Sequence, residues 1–230
     1  PFLASAYKGA QAAAGIYPQG EDSARQLASL LDSHSGLVRI LTLAVERTDA
    51  RDLIEICSRQ GVIPSVGHSA AGYDVMQQAV ARGLKSVTHA FNAMPGIHHR
   101  QPGLLTEALS NPAVHLELIA DGVHIHPAVL GLALSLKPPD KVSIVSDGTR
   151  AVGMPNGEYE LGGQMTLVRD GLATLPDGTI AGSAFPLLAG VKTLVNILGY
   201  TLPAAVRYAS LNPAGLLGVA DRLGSIEPGK

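Results

Sequence analysis

The chain has no tryptophan, one cysteine and only 4% aromatic residues. A single cysteine, Cys57, excludes an intramolecular disulfide framework and suits a reducing compartment. No apolar run approaches the ~20 residues that cross a bilayer, and nothing near the start reads as a secretory leader. The first residue is Pro1 rather than methionine. Neither charge sign dominates: 17 basic residues face 19 acidic ones, and no basic run stands out. That balance speaks against a nucleic-acid groove or a membrane-surface patch, so neither partner is expected. Low-complexity segments and short-period repeats are also missing, and the cytoplasm is the expected location.

What is present is 46% hydrophobic residues spread over 230 positions, enough for one large domain or two small ones. From about residue 21 to 150 two textures alternate. Stretches such as "DSARQLASLLDSH" and "DVMQQAVARG" carry apolar residues at three- and four-residue spacing and predict helices. Between them lie short β-branched runs: "VRILTLAVE", "VIPSVGHS", "LKSVTHAF", "VHLELIADG" and "DKVSIVSDG". Runs of that kind separated by helices read as buried parallel strands in βα units. Residues 153–182 are rich in turn pairs and predict a β-hairpin-like excursion. The last fifty residues return to helical texture, in "LLAGVKTLVNILG" and "LPAAVRYASLNPAGLLG".

The five apolar runs stop in the same manner. They end in Glu46, His68, His89, Asp121 with His124, and Asp147. Parallel strands point one way, so their ends gather on one face, which in a (β/α)8 barrel is the face that carries active sites. A histidine at one strand end is ordinarily a hydrogen-bonded core or surface residue. Asp147-Gly148 alone is a common turn, and Glu46 can begin a helix. Turn chemistry favours Gly, Asn, Ser and Pro, however, so five successive acid–base or metal-ligand residues point to a divalent-metal site with a proton carrier. His34 follows a helix, His98 lies in a loop and His115 begins a strand at the opposite face, so all three are poor candidates. His98-His99-Arg100 is either a solvated loop or an anion clamp, and Asn92-Ala93 offers an amide and backbone N–H groups nearby.

At "GHSAAGYD", "VTHAFNAMPGIHHRQPG", "IADGVHIHP" and "SDGTRAVG" the sequence resembles the N-acetylglucosamine-6-phosphate deacetylase family of the metal-dependent amidohydrolase superfamily. The likeness runs from Pro1 to Lys230 and includes "IAGS", "LNPAGLLG" and "GSIEPGK". It implies an α/β fold, a (β/α)8 TIM barrel of the amidohydrolase type with a small β-sandwich, here incomplete. Residues 1–230 would form one partial catalytic barrel domain, with sandwich parts missing at both ends. By matching positions, His68 and His89 would be metal ligands and Asp147 the catalytic aspartate. Ala10, Gln11, Asn92, Ala93, Arg100, Asp121, Gly122, Val123, His124, Ile180, Ala181 and Gly182 would contact substrate, with Asn92, Ala93 and Arg100 on the phosphate. The resemblance implies a divalent cation (zinc first; iron, cobalt or manganese otherwise) and a homodimer.

The implied reaction is hydrolysis of N-acetylglucosamine 6-phosphate to glucosamine 6-phosphate and acetate, with Asp147 moving the proton. The alternatives are another metal-dependent amidohydrolase or a non-catalytic sugar-phosphate-binding relative. Departures from the family pattern are Gln11 where many relatives carry His, Val45 where Ala-Pro-Glu is common, and Leu187 in place of a frequent Met. The family's further metal ligand, a Glu in "E-G-P-F", would precede Pro1-Phe2. The chain is therefore expected to be an interior part of a longer one, inactive by itself.

Overall fold

Apolar spacing becomes helices where the sequence suggests it. In a computed structural model, which describes residues 2–228, the first helix α1 (Glu21–Ser33) buries Ser23, Leu27 and Leu31 at four-residue intervals. The second, α2 (Ala50–Arg59), buries Ala50, Leu53, Ile54 and Cys57, the i, i+3, i+4, i+7 stripe of a helix lying on a core. Burial pushes the Cys57 thiol up to about 12, so it packs as an inert apolar group. The remaining helices are α3 (Tyr73–Ala81), α4 (Gly103–Ser110), α5 (Pro127–Leu136), α6 (Leu187–Asn196), α7 (Leu202–Ala209) and α8 (Leu211–Leu216). Pro127 sits in the first turn of α5, where a missing N–H costs nothing.

The β-branched runs form β1 (Ile40–Leu43), β2 (Ile63–Val66), β3 (Ser86–Val87), β4 (His115–Ile119) and β5 (Val142–Val145). By packing, the chain divides into two compact units: Pro1–Lys8 with Ala13–Leu116, and Gly9–Ala12 with Glu117–Lys230. The break falls inside β4. In the first unit the order is β1-β2-β3-β4, with parallel pairings Ile40↔Ile63, Ser65↔Ser86 and Ser86↔His115. Leu43, Val66 and Val87 are fully buried, as the near-continuous apolar runs demand. Phe2 bridges Leu43, and Ala4 N donates to the His68 carbonyl at 3.0 Å, so the first described residues lie along the strand ends.

In the second unit β5 follows β4 in the sheet, and Leu118, Ile119, Ile144 and Leu194 are buried. Asn212 in α8 donates to the Pro139 and Val142 carbonyls, both at 2.6 Å, tying the helix to the start of β5. The excursion is larger than a hairpin. Strands β6 (Gly157–Leu161), β7 (Gln164–Arg169), β8 (Leu172–Thr174) and β9 (Ile180–Ser183) form a four-stranded antiparallel sheet in sequence order. Its own small core is Ala151, Val168, Ala173 and Ala184, with Tyr159 against it. The turn pairs mark its hairpin corners, but "IAGS" has no turn signal and enters as the fourth strand. The segment Gly9–Ala12 joins this unit because Gln164 Nε2 donates to the Ala10 carbonyl at 2.7 Å.

Candidate functional site

His68, His89, Asp121 and Asp147 each stand two residues past the last residue of β2, β3, β4 and β5 respectively. Three of these four have left-handed backbone: φ is 50° at His68, 34° at His89 and 48° at Asp147. Non-glycine residues avoid that region at a cost of roughly 1–2 kcal/mol each, and clusters of them mark sites where the fold holds a side chain against its preference. Only six described non-glycine residues have positive φ, and Phe91 and Ala93 are two of the others. The strand-end residues are thus aimed by backbone turns that an ordinary loop would fill with glycine.

In the first unit, the imidazoles of His68 and His89 meet edge to face with ring centroids 4.8 Å apart. Their Nε2 atoms are 3.0 Å apart. His68 Nδ1 lies 2.8 Å from the Tyr7 carbonyl oxygen, which can only accept, so Nδ1 carries the proton and the neutral ring keeps its lone pair on Nε2. Histidine metal ligands are oriented in just this manner. Two nitrogens bound about 2.0–2.1 Å from a tetrahedral cation lie about 3.3 Å apart, so the observed pair needs only slight spreading to hold one. The residues present therefore fit a divalent cation. Among the described residues no group of three His, Cys, Asp or Glu side chains is placed to hold a metal ion, so these two imidazoles are the donor set seen.

Close packing sets the His68 turn. A Cβ on Gly67 would come within 2.8 Å of Thr42 Cγ2 and 3.0 Å of Thr88 Cβ. Those threonines belong to a buried hydroxyl cluster, with Thr88 Oγ1 2.9 Å from Thr42 Oγ1 and 2.7 Å from Ser65 Oγ. Glu46, expected among the converging polar ends, is used differently. Its carboxylate accepts from Ser69 Oγ at 2.6 Å and from Ala70 N at 2.5 Å, bracing the loop that follows His68.

After His89 the chain coils tightly, with φ of 77° at Phe91 and 51° at Ala93. The Asn92 N–H closes this coil by donating to the His89 carbonyl at 3.0 Å. The Asn92 amide donates to the His89 and Ala90 carbonyls at 3.2 and 3.4 Å, which stiffens this coil. Arg100 is exposed in a tight turn bridged by His98 and Gln101, its Nη1 2.7 Å from His99 Nε2.

In the second unit, the Asp121 carboxylate accepts four hydrogen bonds: from Val123 N at 2.9 Å, His124 N at 3.0 Å, His124 Nδ1 at 2.7 Å and Ser183 Oγ at 3.1 Å. Burial pushes its pKa up, but the His124 imidazole and the two backbone N–H groups outweigh that and hold the carboxyl down at about 2. The side chains of Asp121 and His124 are 5% and 4% exposed. Gly122 and Val123 are exposed on the same turn, with φ of 82° at Gly122.

Asp147 is exposed. Strand β9 clamps its turn: Ser183 N donates to the Asp147 carbonyl at 2.9 Å, and Thr149 N donates to the Ser183 carbonyl at 3.0 Å. Ile180 is exposed, Ala181 is buried, and a Cβ on Gly182 would stand 2.8 Å from the Asp147 carbonyl oxygen. Gly182 also has φ of 70°, so two independent constraints require glycine there. Gln11 is exposed beside Ala10 in the loop held by Gln164.

Reading the sequence alone missed Tyr7, Ser183 and Gln164. Tyr7 acts through a backbone carbonyl, which no side-chain pattern reveals. Ser183 and Gln164 lie far along the chain from the groups they touch. His34 and His115 lie away from these strand ends, as expected: His34 caps α1, and His115 is the first residue of β4.

The family model described as "Amidohydrolase family" matches residues 14–230. The N-acetylgalactosamine-6-phosphate deacetylase of Escherichia coli O157:H7 is 36% identical over 205 residues, covering 89% of this chain and 54% of that protein. The N-acetylglucosamine-6-phosphate deacetylase of Vibrio furnissii is 38% identical over 190 residues, covering 83% of this chain and 47% of its own. Among solved structures, a variant of the Mycobacterium smegmatis N-acetyl-D-glucosamine-6-phosphate deacetylase in complex with N-acetyl-D-glucosamine 6-phosphate superposes with a TM-score of 0.90 at 32% identity. That match covers 95% of this chain and 58% of that one. The chain spans about half the length of the curated relatives it matches.

Proposed function

On the premise that this chain belongs to the amidohydrolase family, we propose that its protein hydrolyses the acetamide of N-acetylglucosamine 6-phosphate, releasing glucosamine 6-phosphate and acetate. The observation that carries this reading is the His68–His89 pair, with Nε2 atoms 3.0 Å apart and the His68 tautomer set by the Tyr7 carbonyl. His68 and His89 would hold a divalent cation, zinc first among the metals that suit imidazole ligands, with iron, cobalt or manganese able to serve. Such a cation supplies Lewis acidity and acidifies water toward neutral pH.

Asp147 is the proton carrier in this reading. Its exposed carboxylate takes a proton as water adds to the acetamide carbonyl, then returns it to the departing nitrogen, because an amide anion is a very poor leaving group. The β9 clamp on its turn supports that role by fixing where the carboxylate stands. Arg100, Asn92 and the backbone at Ala93 would take the phosphate, the Ala93 backbone supplying an N–H group and Arg100 a fork of donors. Ala10, Gln11, Gly122, Val123, His124 and the Ile180–Gly182 stretch would line the sugar. Gln11 can donate or accept but cannot carry a proton as a histidine would.

N-acetylgalactosamine 6-phosphate is the second reading for the substrate, favoured by the likeness to the Escherichia coli enzyme of that name. The proposed setting is a cytoplasmic homodimer. The single cysteine and the family resemblance support it. No helix among the described residues is long and apolar enough to cross a membrane.

The test is acetate release by the full-length protein from both N-acetylhexosamine 6-phosphates and from unphosphorylated N-acetylglucosamine, with and without chelator. Turnover that needs phosphate and is abolished by the chelator is the expected result. Equal turnover of phosphorylated and free sugar would favour a broader amidohydrolase, and no turnover of any would leave a binding protein.

A further inference from the structure

We infer that Asp121 and Ser183 are positioning residues that fix the His124 imidazole with its proton on Nδ1, so that Nε2 presents a lone pair to a hydroxyl group of the sugar. The inference rests on the function proposed above and names what one part of that site is for.

The dyad is built from three parts of the second unit. Asp121 Oδ2 receives His124 Nδ1 at 2.7 Å and Ser183 Oγ at 3.1 Å, while Oδ1 receives the backbone N–H groups of Val123 and His124. All four bonds come from the protein, so a carboxylate with about four acceptor sites has none left for a ligand. Ser183 is itself aligned, since its Oγ accepts from Phe185 N at 3.0 Å and so turns its hydroxyl proton toward Asp121. An ionised carboxylate only accepts. His124 Nδ1 must therefore donate, which in the neutral form of the ring puts the lone pair on Nε2.

That Nε2 atom is buried and has no hydrogen-bond partner among the described residues. A buried, unsatisfied ring nitrogen on a side chain only 4% exposed is costly and rare unless a ligand completes it. A hydroxyl is the donor that a sugar offers in quantity. Gly122 and Val123, on the same turn, are exposed.

The variant Asp121→Asn makes the idea testable. Its amide oxygen keeps the two backbone N–H groups, which places the NH₂ against His124 Nδ1 and forces that atom to accept. The ring proton then moves to Nε2, so a sugar hydroxyl can no longer donate to that atom and must turn to accept from it. Nitrogen-15 NMR of the histidine-labelled full-length protein, with the His124 signals assigned by a His124→Gln variant, reads the tautomer without any turnover.

The expected spectrum shows an unprotonated Nε2 in the parent and a protonated one in Asp121→Asn. The expected kinetics are a roughly 3- to 10-fold fall in kcat/KM, carried mainly by KM. Sugar phosphates lacking one hydroxyl at a time sharpen the assignment. One of these deoxy analogues should be poor for the parent, and that penalty should be smaller in the variant. Ser183→Ala, which removes one donor and keeps the carboxylate, should give a smaller fall with the parent tautomer. It also serves if Asp121→Asn folds badly.

The same tautomer in parent and Asp121→Asn would overturn the positioning role. A swapped tautomer with unchanged deoxy-sugar penalties would overturn the hydroxyl contact. Failure of the proposed function itself would look different: no acetate from any N-acetylhexosamine 6-phosphate, with the NMR result intact.

Discussion

The two units each bury one pair of ionisable side chains, and the pairs are finished to different degrees. In the first, Arg47 and Asp49 have side chains 1% and 2% exposed and form a two-pronged contact, Nε to Oδ1 at 2.9 Å and Nη2 to Oδ2 at 2.7 Å. The rest of the guanidinium donates to the Tyr17 and Pro18 carbonyls at 3.0 and 3.1 Å, and Gly20 N donates to Asp49 at 3.1 Å. The pair straps the Tyr17–Gly20 turn to the start of α2, and its bonds all stay within the protein. In the second unit, Asp121 is equally saturated, but its partner His124 keeps one buried nitrogen open. Full satisfaction is the mark of a structural pair. An unfinished group at a strand end, where the other acid–base residues of this chain also stand, marks a pair kept for something that arrives from outside.

The comparison extends to the imidazoles. His68, like His124, has its Nδ1 committed to an acceptor, a backbone carbonyl in one case and a carboxylate in the other. A neutral carbonyl leaves Nε2 a plain ligand for a cation. A carboxylate adds negative charge behind the ring, as it also does behind many metal-binding histidines.

Three perturbations would break or sharpen this contrast. The largest effect is expected for His68→Ala, which removes an imidazole donor: bound metal measured by elemental analysis should fall below stoichiometric, with acetate release down on the order of 10³-fold or more. Urea unfolding of the metal-free forms should move little, because the ring is only part-buried. Full metal content in that variant would remove His68 from the ligand set. Next is Arg47→Ala, which strands Asp49 in the interior and should cost about 3–5 kcal/mol in urea unfolding. Here the metal content of the folded fraction should stay at the parent level. A loss below ~1 kcal/mol would mean that the strap is not structural.

The smallest effect concerns acid. The Asp121 pKa is about 2, below the ordinary value of roughly 3.9. A depressed folded-state pKa contributes stability above the unfolded value and loses it as pH falls from about 4 through about 2. Between pH 5 and pH 2.5 the melting temperature of the parent should therefore drop further than that of Asp121→Asn. Parallel acid profiles for the two would count against the hydrogen-bonded carboxylate described here.

Much of this could be read along the chain. The five βα strands were legible because β-branched runs and amphipathic helices alternate with different periods, and α1 and α2 bury the expected stripes. The strand-end residues were legible for the same reason: a run of buried residues that stops at His or Asp carries its own punctuation. The extent of the antiparallel sheet was harder, since β9 is joined to β8 by pairing that no local signal announces. The division within β4 was not legible at all, because it depends on which residues pack together. Glu46 looked like a partner in the site, yet its oxygens are taken by Ser69 and Ala70, a local competition that spacing does not reveal.

The sequence by itself determined the element order, the helix faces and the list of chemical groups, because periodicity and residue type are local properties of a chain. Only the tertiary structure decided which proton sits where. The Tyr7 carbonyl sets the His68 tautomer, Ser183 reaches Asp121 across 62 positions, and Gly182 is required by the Asp147 carbonyl beside it. Hydrogen-bond direction and steric clearance are fixed by distances between residues remote in the chain, and those distances exist only once the backbone has closed around them.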